Sequence, residues 1–414
     1  MKKNIWIFSH YATIMFIDKS GRHYWFAENL IKHGYKPTIF CASTIHNSDE
    51  NINTGKQKYI IKEINEIQFI FIKTSAYKGN GIRRIGNMIA FYRNLFPVAK
   101  EYAKLNSKPD IILASSVHPL VLVAGIKIAK KFGVKCIAEI RDLWPESLVA
   151  YGLIKKSNPF LKFLYMLEKW IYKRADKLIF TMKGGVDYIK EKGWDKEISL
   201  SKVYHINNGV DLEAFNYNKK NYMIKDIDLD DSDIFKVVYT GALTIGKTKN
   251  LQALVDAASI IRDDGYDKVR VIIYGDGNYG EYLEKYVEDN NIKNVIFKGR
   301  VDKKYIPYIL SKCDLNVSNL YQHELFRFGV SLKKLFDYFA SGKPILSIEY
   351  NHDLVKKYRC GITLKDSNPE EIAKNIIKFY NMDIEEVRLL SKNAKQAAKD
   401  YDFKVLTDKL IRLF

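Results

Sequence analysis

The feature that most constrains the fold is an alternation of short apolar runs with amphipathic helical stretches, which occurs twice along the chain. In the first half the strand-like runs are 4–9, 36–42, 67–73, 111–115, 135–140, 177–181 and 202–206. The pattern restarts with runs at 236–239, 269–274, 295–297, 315–317, 345–348 and 361–364. Such alternation is typical of parallel sheets covered by helices on both faces. The sequence therefore predicts an α/β chain of two doubly wound, Rossmann-like domains.

The charge of the chain is unevenly distributed. Residues 1–220 hold 36 Lys and Arg against 19 Asp and Glu, a net charge of +17, whereas residues 221–414 hold 31 against 29, a net charge of +2. A basic half indicates a polyanionic partner: nucleic acid, an anionic membrane surface or a pyrophosphate-bearing substrate. The many Lys, Asn, Ile and Tyr residues also fit a plain compositional bias, so the asymmetry is more informative than the total of +19.

Membrane-spanning, secreted and metal-centred classes find little support in the sequence. No apolar run reaches the roughly 18 residues that a membrane span needs, and the run at 5–8 is too short for a signal peptide. The four cysteines are scattered without zinc-ligand or redox spacing, which favours a reducing cytoplasm. The acidic stretch 226–233 is predicted to be a loop between the domains rather than a metal site.

Polar or glycine-containing loops follow seven of the predicted strands. They lie at 9–10, 115–119 and 139–142 in the first half, and at 241, 275–277, 299–300 and 326–334 in the second. Ligands of doubly wound sheets bind beyond the carboxyl ends of strands, so two such domains facing across a cleft suit two substrates. The Gly-x-Gly at 275–277 lacks the third glycine of a dinucleotide fingerprint, which argues against a nicotinamide enzyme.

The segment 329–344 predicts a loop, a short helix and a Gly-Lys-Pro stop before a strand. Ser331 is a natural N-cap, and helix N-termini bind anions through free N–H groups. Lys334 would add a positive charge in the first turn, and Asp337 would share its face. A cation beside a carboxylate suits the diphosphate and ribose of a nucleotide. The alternative is an ordinary capped helix with a solvated lysine.

Three strings in matching order resemble the retaining nucleotide-sugar glycosyltransferases of family 4, which have the two-domain GT-B fold. They are Glu-Ile-Arg-Asp-Leu-Trp-Pro-Glu-Ser at 139–147, Tyr-His-Ile-Asn-Asn-Gly-Val-Asp at 204–211 and the segment 329–344. The closest branch is the fucosamine-transferase-like enzymes of O-antigen and capsule synthesis. The resemblance implies an acceptor-binding domain at 1–208, a linker at 209–235, a donor-binding domain at 236–395, and a C-terminal helix at 396–414 that packs on the first domain.

The resemblance also implies which residues meet the donor. Asp337 matches the second acidic residue of the family's paired motif, which holds ribose, whereas Gly329 replaces the first. Ala242 replaces an arginine that often holds phosphate. Our expected diphosphate ligands are Arg327 and Lys334, and the other expected donor-binding positions are Gly241, Lys249, Gly275, Gly299, Arg300, Val330 and Ser331.

Candidate residues of the first half follow its strands. His118 is expected to polarise or orient a group near the donor sugar, with a structural histidine beside Pro119 as the alternative. The expected acceptor-binding residues are His10, Arg22, Glu139, Arg141 and Asp142. For the last three, an ion-pair network that only supports the loop is the alternative.

These expectations combine into a retaining, metal-independent transferase with no cofactor. It would move a sugar, either a hexose or an N-acetylated amino sugar, from a UDP-sugar to a polyprenyl-pyrophosphate-linked saccharide. Basic amphipathic stretches at 82–105 and 153–177 indicate contact with an anionic membrane on its cytoplasmic face. One rival is a GT-B nucleotide-sugar epimerase, which needs no acceptor. The other is a basic nucleic-acid-binding protein, although the sequence has no module signature for one and we expect no nucleic-acid partner.

Overall fold

The computed structural model describes residues 2–46, 51–77, 79, 81–116, 118–243, 251–318 and 324–414. The chain divides into two compact units. The first contains the residues up to Asn207 together with Phe403–Phe414, and the second contains Asn208–Asp402. The segment 209–235 therefore lies within the second unit.

The first unit is built on an eight-stranded sheet with the order β3-β4-β2-β1-β5-β6-β7-β8. Its strands are β1 Asn4–Phe8, β2 Lys36–Ala42, β3 Tyr59–Ile64, β4 Ile67–Ile72, β5 Ile111–Ser115, β6 Lys135–Ile140, β7 Lys177–Phe180 and β8 Val203–His205. All neighbouring strands pair in parallel except β3, which is antiparallel to β4. We did not predict β3, because this edge strand is only half-buried and carries no continuous apolar run.

Helices cover both faces of this sheet. They are α1 Thr13–Ile17, α2 Arg22–Lys32, α3 Ile82–Leu105, α4 Pro119–Phe132, α5 Glu146–Ala150, α6 Pro159–Arg174 and α7 Gly185–Glu191. Both α3 and α6 pack against α4. Most of the α4 helix is buried, which explains its apolar sequence, and it begins with Pro119, whose fixed φ suits the first helical position.

The second unit is built on a six-stranded, wholly parallel sheet with the order β11-β10-β9-β12-β13-β14. Its helices and strands are α8 Leu212–Asn221, α9 Ile227–Asp230, β9 Phe235–Thr240, α10 Leu251–Asp263, β10 Val269–Tyr274, α11 Gly280–Asp289, β11 Val295–Gly299, α12 Ile306–Lys312, β12 Leu315–Val317, α13 Lys333–Ser341, β13 Ile345–Ile348, α14 Leu354–Tyr358, β14 Gly361–Leu364, α15 Pro369–Tyr380 and α16 Ile384–Asp400. The final helix, α17 Phe403–Ile411, packs on α2 of the first unit.

Each sheet has a point at which the strand order reverses, between β1 and β5 in the first and between β9 and β12 in the second. In sheets of this type the crevice for ligands opens at that point, beyond the carboxyl ends of the strands. The predicted loops after β1, β5, β9 and β12 flank these two points.

Two predicted details of the second half differ from the structure. The predicted helix 396–414 is two helices, because α16 ends at Asp400 and α17 begins only at Phe403. The acidic stretch 226–233 is not a plain loop, since it contains α9 with Asp226 as its N-cap. Lys298 pairs with Asp226 at 2.7 Å and also with Asp228, and Tyr274 donates to Asp226 at 2.7 Å.

None of the helices in the described residues is both long enough and apolar enough to span a bilayer.

Candidate functional site

Three glycine-containing loops stack against one another at the carboxyl edge of the second sheet. The Gly241 N–H donates to the Tyr274 carbonyl at 2.9 Å, and the Gly275 N–H donates to the Gly299 carbonyl at 2.8 Å. A Cβ atom at position 275 would lie 1.8 Å from the Gly241 carbonyl oxygen, which no side chain permits. The close approach of these loops therefore requires glycine at 275 and brings three predicted positions together.

Lys334 lies in the first turn of α13 with its ammonium nitrogen 3.8 Å from the centre of the Tyr239 ring. The side chain is partly exposed, and burial lowers its pKa from 10.5 to about 7. Within the described part of the chain it makes no ion pair. A Cβ atom at position 241 would lie 3.6 Å from this nitrogen, so Gly241 borders the same space. Among the described residues, the site thus holds a cation that lies against an aromatic face and not against a carboxylate.

Asp337 lies one turn after Lys334 on the same helix. Burial raises its pKa from 3.8 to about 7, although Lys303 and Lys333 oppose that shift. Side chains three residues apart are neighbours on a helix, yet among the described residues Asp337 and Lys334 do not pair with each other. A partly exposed cation and a partly exposed carboxyl group therefore lie one helical turn apart without pairing with each other.

The segment before α13 differs from the prediction at Ser331. The N-cap residue is Leu332, without a side-chain cap, so the prediction that Ser331 caps the helix is wrong. The Ser331 hydroxyl instead accepts from the backbone and side-chain amides of Asn208, at 3.2 and 2.9 Å. Gly329 has φ +86, a conformation that favours glycine. The partly exposed Val330 lies between these two positions.

Three other predicted donor-binding residues belong to the second unit: Arg327, Arg300 and Lys249. Arg327 lies in a 3₁₀ turn, Glu324–Phe328, where its guanidinium donates to the Glu324 carbonyl at 2.7 Å and lies 4.3 Å from the centre of the Phe328 ring. Arg300 is 80% exposed and lies 4.0 Å from Asp276. Lys249 lies outside the described residues.

In the first unit, two predicted site residues are in direct contact. The His10 Nδ1 atom lies 2.6 Å from His118 Nε2, and His10 Nε2 lies 2.7 Å from Asn87 Oδ1. All three side chains are buried. His10 also stacks on the Phe91 ring with centroids 4.4 Å apart. Asn87 is not predicted from the sequence, since nothing in α3 distinguishes it from other polar residues.

Glu139, at the end of β6, is the centre of a buried network. Its carboxylate accepts from the Arg22 guanidinium at 2.8 Å, from His23 at 2.9 Å and from the Ser115 hydroxyl at 2.7 Å. Burial alone would raise the pKa of Glu139, but Arg22, His23 and Arg141 together hold it below its usual range. This geometry is that of the ion-pair network considered as the alternative for Glu139.

Arg22 extends this network to the end of the first unit. Its remaining guanidinium nitrogens donate to the carbonyls of Asn207 at 2.5 Å and Ile206 at 2.8 Å. Arg141 is partly exposed and its N–H donates to the Ser116 hydroxyl at 3.0 Å, while Asp142 is exposed. Of the five predicted acceptor residues, Arg141 and Asp142 are therefore the two that reach the surface.

Two family models and several known proteins match this chain. The model Glycosyltransferase Family 4 matches residues 24–214, and the model Glycosyl transferases group 1 matches residues 234–382. The chain is 23% identical over 279 residues to the probable glycosyltransferase WbjE of Pseudomonas aeruginosa, covering 66% of this chain and 67% of that protein. It is 28% identical over 242 residues to an uncharacterized glycosyltransferase of Methanocaldococcus jannaschii, covering 56% of this chain and only 56% of that relative.

The fold also matches solved structures over almost the whole chain. The crystal structure of HepE from Anabaena, in complex with UDP and glucose, superposes with a TM-score of 0.64 at 14% identity, covering 99% of this chain and 98% of that chain. Neither family model describes an epimerase or a nucleic-acid-binding protein, so these two alternatives are not favoured. The chain is a glycosyltransferase with the GT-B fold, with a family 4 domain in its first half and a group 1 domain in its second.

Proposed function

We propose that this enzyme is a retaining transferase that moves a sugar, either a hexose or an N-acetylated amino sugar, from a UDP-sugar to a lipid-linked saccharide. The single observation that carries the donor assignment is Lys334. Among the described residues it makes no ion pair, and burial lowers its pKa to about 7. A lysine in such surroundings is stabilised when an anion binds beside it, because a nearby negative charge restores the charged form.

The surroundings of Lys334 fit a nucleoside diphosphate. The first turn of α13 offers backbone N–H groups and the positive end of a helix dipole. Asp337 lies on the same face and would accept from ribose hydroxyls. The backbone of Gly299 has open space beside it, and Gly241 borders the Lys334 ammonium. HepE, which shares the fold, was crystallised with UDP and glucose, which supports a UDP-linked donor.

In the proposed reaction the chief task of the protein is to stabilise the departing diphosphate. Fixed cations and helix N–H groups supply this stabilisation without solvent reorganisation. The diphosphate itself would take the proton of the acceptor hydroxyl, so the reaction would need no strong protein base. In this proposal Lys334 and Arg327 bind the diphosphate, and no metal ion is invoked.

The surface of the first unit supports a lipid-linked acceptor. The stretch 151–166 exposes apolar side chains beside three lysines and contains no acidic residue. The exposed apolar residues are Tyr151, Leu153, Phe160, Phe163 and Met166. The start of α3 likewise exposes Ile82, Ile85 and Ile89 near Arg83. Apolar and basic side chains together favour an anionic bilayer.

This surface supports peripheral attachment to the cytoplasmic face of the cell membrane, where polyprenyl-pyrophosphate saccharides are extended. We further propose a role in O-antigen or capsule synthesis. The support for this role is the string at 139–147, which resembles the fucosamine-transferase-like branch. Arg141 and Asp142 of this string reach the surface and are our proposed acceptor contacts.

A transfer assay tests this function. UDP-N-acetyl amino sugars would be screened against polyprenyl-pyrophosphate saccharides in anionic vesicles, with UDP release and product mass as readouts. Release of UDP that depends on the acceptor, with retention at the anomeric carbon, supports the proposal. Conversion of the nucleotide sugar without any acceptor would instead indicate the epimerase, and inversion at the anomeric carbon would contradict a retaining mechanism.

A further inference from the structure

Asn87, His10 and His118 form a hydrogen-bonded chain whose direction can be worked out. The Asn87 side-chain nitrogen donates to the Ser75 carbonyl at 2.6 Å and to the Thr44 hydroxyl at 3.0 Å. A backbone carbonyl only accepts, so this contact fixes which end of the amide is nitrogen. The Asn87 oxygen therefore faces His10 Nε2 at 2.7 Å, and His10 must carry a proton on that nitrogen.

His10 is neutral in these surroundings. Burial, helped by the neighbouring His118, Arg84 and His46, lowers its pKa well below 6.5, although the bond to Asn87 opposes the shift. With its proton on Nε2, the His10 Nδ1 atom has a lone pair. His118 Nε2, at 2.6 Å, must then donate a proton to it.

His118 is left with an unprotonated Nδ1 atom. Burial, with Arg84 adding to it, lowers the pKa of His118 to about 3, so the ring is neutral and has one proton only. That proton lies on Nε2. The Nδ1 atom is buried and meets no hydrogen-bond donor within the described residues. It lies at the N-cap of α4, just beyond the carboxyl end of β5. A buried acceptor without a donor is costly, so its site is prepared for one.

We propose that Asn87 and His10 are positioning residues that lock His118 as the Nε2–H tautomer, so that its Nδ1 atom accepts from a hydroxyl group of the sugar substrate. This inference has two halves. The substrate half, that His118 accepts from a sugar hydroxyl, rests on the proposed function, whereas the tautomer half, that Asn87 and His10 fix the proton on Nε2, does not. A site built to accept from one hydroxyl rejects analogues that lack it, because the acceptor is then left unpaired. The hydrogen-bonded chain of Asn87, His10 and His118 would therefore contribute to sugar specificity.

Nitrogen-15 NMR of histidine-labelled protein tests the tautomer without any activity. The chain has eight histidines, and single substitutions assign their signals. We expect His118 to show a protonated Nε2 and a bare Nδ1 from pH 6 to pH 8. A proton on His118 Nδ1, or a charged ring at pH 7, would overturn the proposal whatever the enzyme catalyses.

Variants of His10 separate positioning from packing. His10→Phe keeps the stack on Phe91 but removes the acceptor for His118, so we expect the His118 proton to redistribute to Nδ1. His10→Asn keeps an oxygen near the position of Nδ1 and should restore the wild-type tautomer. Asn87→Leu should loosen the tautomer, whereas Asn94→Leu, seven residues further along α3 and bonded to the Lys73 carbonyl, is the matched control.

Kinetics then test the substrate half. We expect His10→Phe to lower kcat/KM about tenfold, and His10→Asn to recover most of this loss. One mono-deoxy analogue of the UDP-sugar or of the acceptor should be used equally by wild type and His10→Phe, because it lacks the hydroxyl that His118 would meet. A uniform loss across all analogues, with the NMR result intact, would contradict the substrate half alone.

Discussion

The Lys334 ammonium lies 3.8 Å from the centre of the Tyr239 ring and, within the described residues, pairs with no carboxylate. The aromatic face offsets only part of the desolvation of the charge, which is why its pKa falls to about 7. The free protein therefore carries an electrostatic cost at this position. In our account, binding of the donor diphosphate removes that cost.

Replacing Lys334 by Met should stabilise the ligand-free protein. The pKa of Lys334 is lower in the folded state than in the unfolded state, so its penalty is complete below about pH 7 and fades as the pH rises towards 10.5. We expect a higher Tm at pH 6, by roughly 2–4 °C for each kcal/mol removed, and a smaller gain at pH 10. Lys374→Met, at an exposed lysine of α15, is the control and should change little. A lower Tm of Lys334→Met than of the wild type at pH 6 would show that burial of the charged Lys334 does not destabilise the folded protein.

Lys334→Ala should lower turnover by about 100-fold or more, because the departing diphosphate loses a fixed cation. The measurement is kcat at saturating donor and acceptor. Lys374→Ala provides the matched control on the same unit. A near-normal kcat for Lys334→Ala would remove this residue from the mechanism.

Asp337→Ala should chiefly weaken nucleotide binding, since its proposed contact is with the ribose and not with the reacting atoms. We expect KM for the donor to rise while kcat changes little. A variant with normal donor KM and a much lower kcat would contradict the ribose assignment.

Glu139→Gln should destabilise the first unit by about 3–5 kcal/mol, because it leaves the buried Arg22 guanidinium without its carboxylate. Glu197→Gln is the control, since this glutamate pairs with Lys169 and Lys173 at the surface, where ion pairs contribute about 1 kcal/mol or less. The pKa of Glu139 is lowered in the folded state, so its contribution is present above the unfolded value of 4.5 and is lost as the pH falls. Thermal unfolding of both variants at pH 7 measures the loss, and the contribution of Glu139 should decline only as the pH falls below about 4 towards its lowered pKa. Equal Tm values for the two variants at pH 7 would contradict this prediction.

Phe160→Asp combined with Phe163→Asp should weaken binding to anionic vesicles by at least about tenfold, since each phenylalanine buried in a bilayer is worth about 1.5–3 kcal/mol. The two rings are each 56% exposed and stack on one another. Leu389→Asp, at an exposed leucine of α16, should leave vesicle binding unchanged. Flotation with the same vesicles distinguishes these outcomes, and unaltered binding of the double variant would move the membrane contact elsewhere.

The strands could be predicted because buried parallel strands are short, continuous apolar runs, and seven of them begin and end at the predicted residues. β3 was not predicted, because this edge strand has no such run. Lys334 lies in the first turn of α13 and Gly342 ends this helix, both as predicted, although the helix begins after Leu332 and not after the predicted cap Ser331.

The partners of the site residues could not be read from the sequence. The sequence predicts Ser331 as the N-cap of a helix, but its hydroxyl accepts a hydrogen bond from Asn208, 123 residues away along the chain. His10 and His118 were selected for separate roles, and only the fold shows that they touch each other and Asn87. Sequence spacing indicates neighbours along one helix or strand, whereas these contacts depend on the order of strands in the sheet.

The most direct test of the account is calorimetric titration of the purified chain with UDP, GDP and ADP, without added metal ions, at pH 7. We predict preferential micromolar binding of UDP that is lost in Lys334→Ala and retained in Lys374→Ala. UDP binding that persists unchanged in Lys334→Ala would contradict the assignment of this lysine, and failure to bind any of the three nucleotides would contradict the proposed donor class.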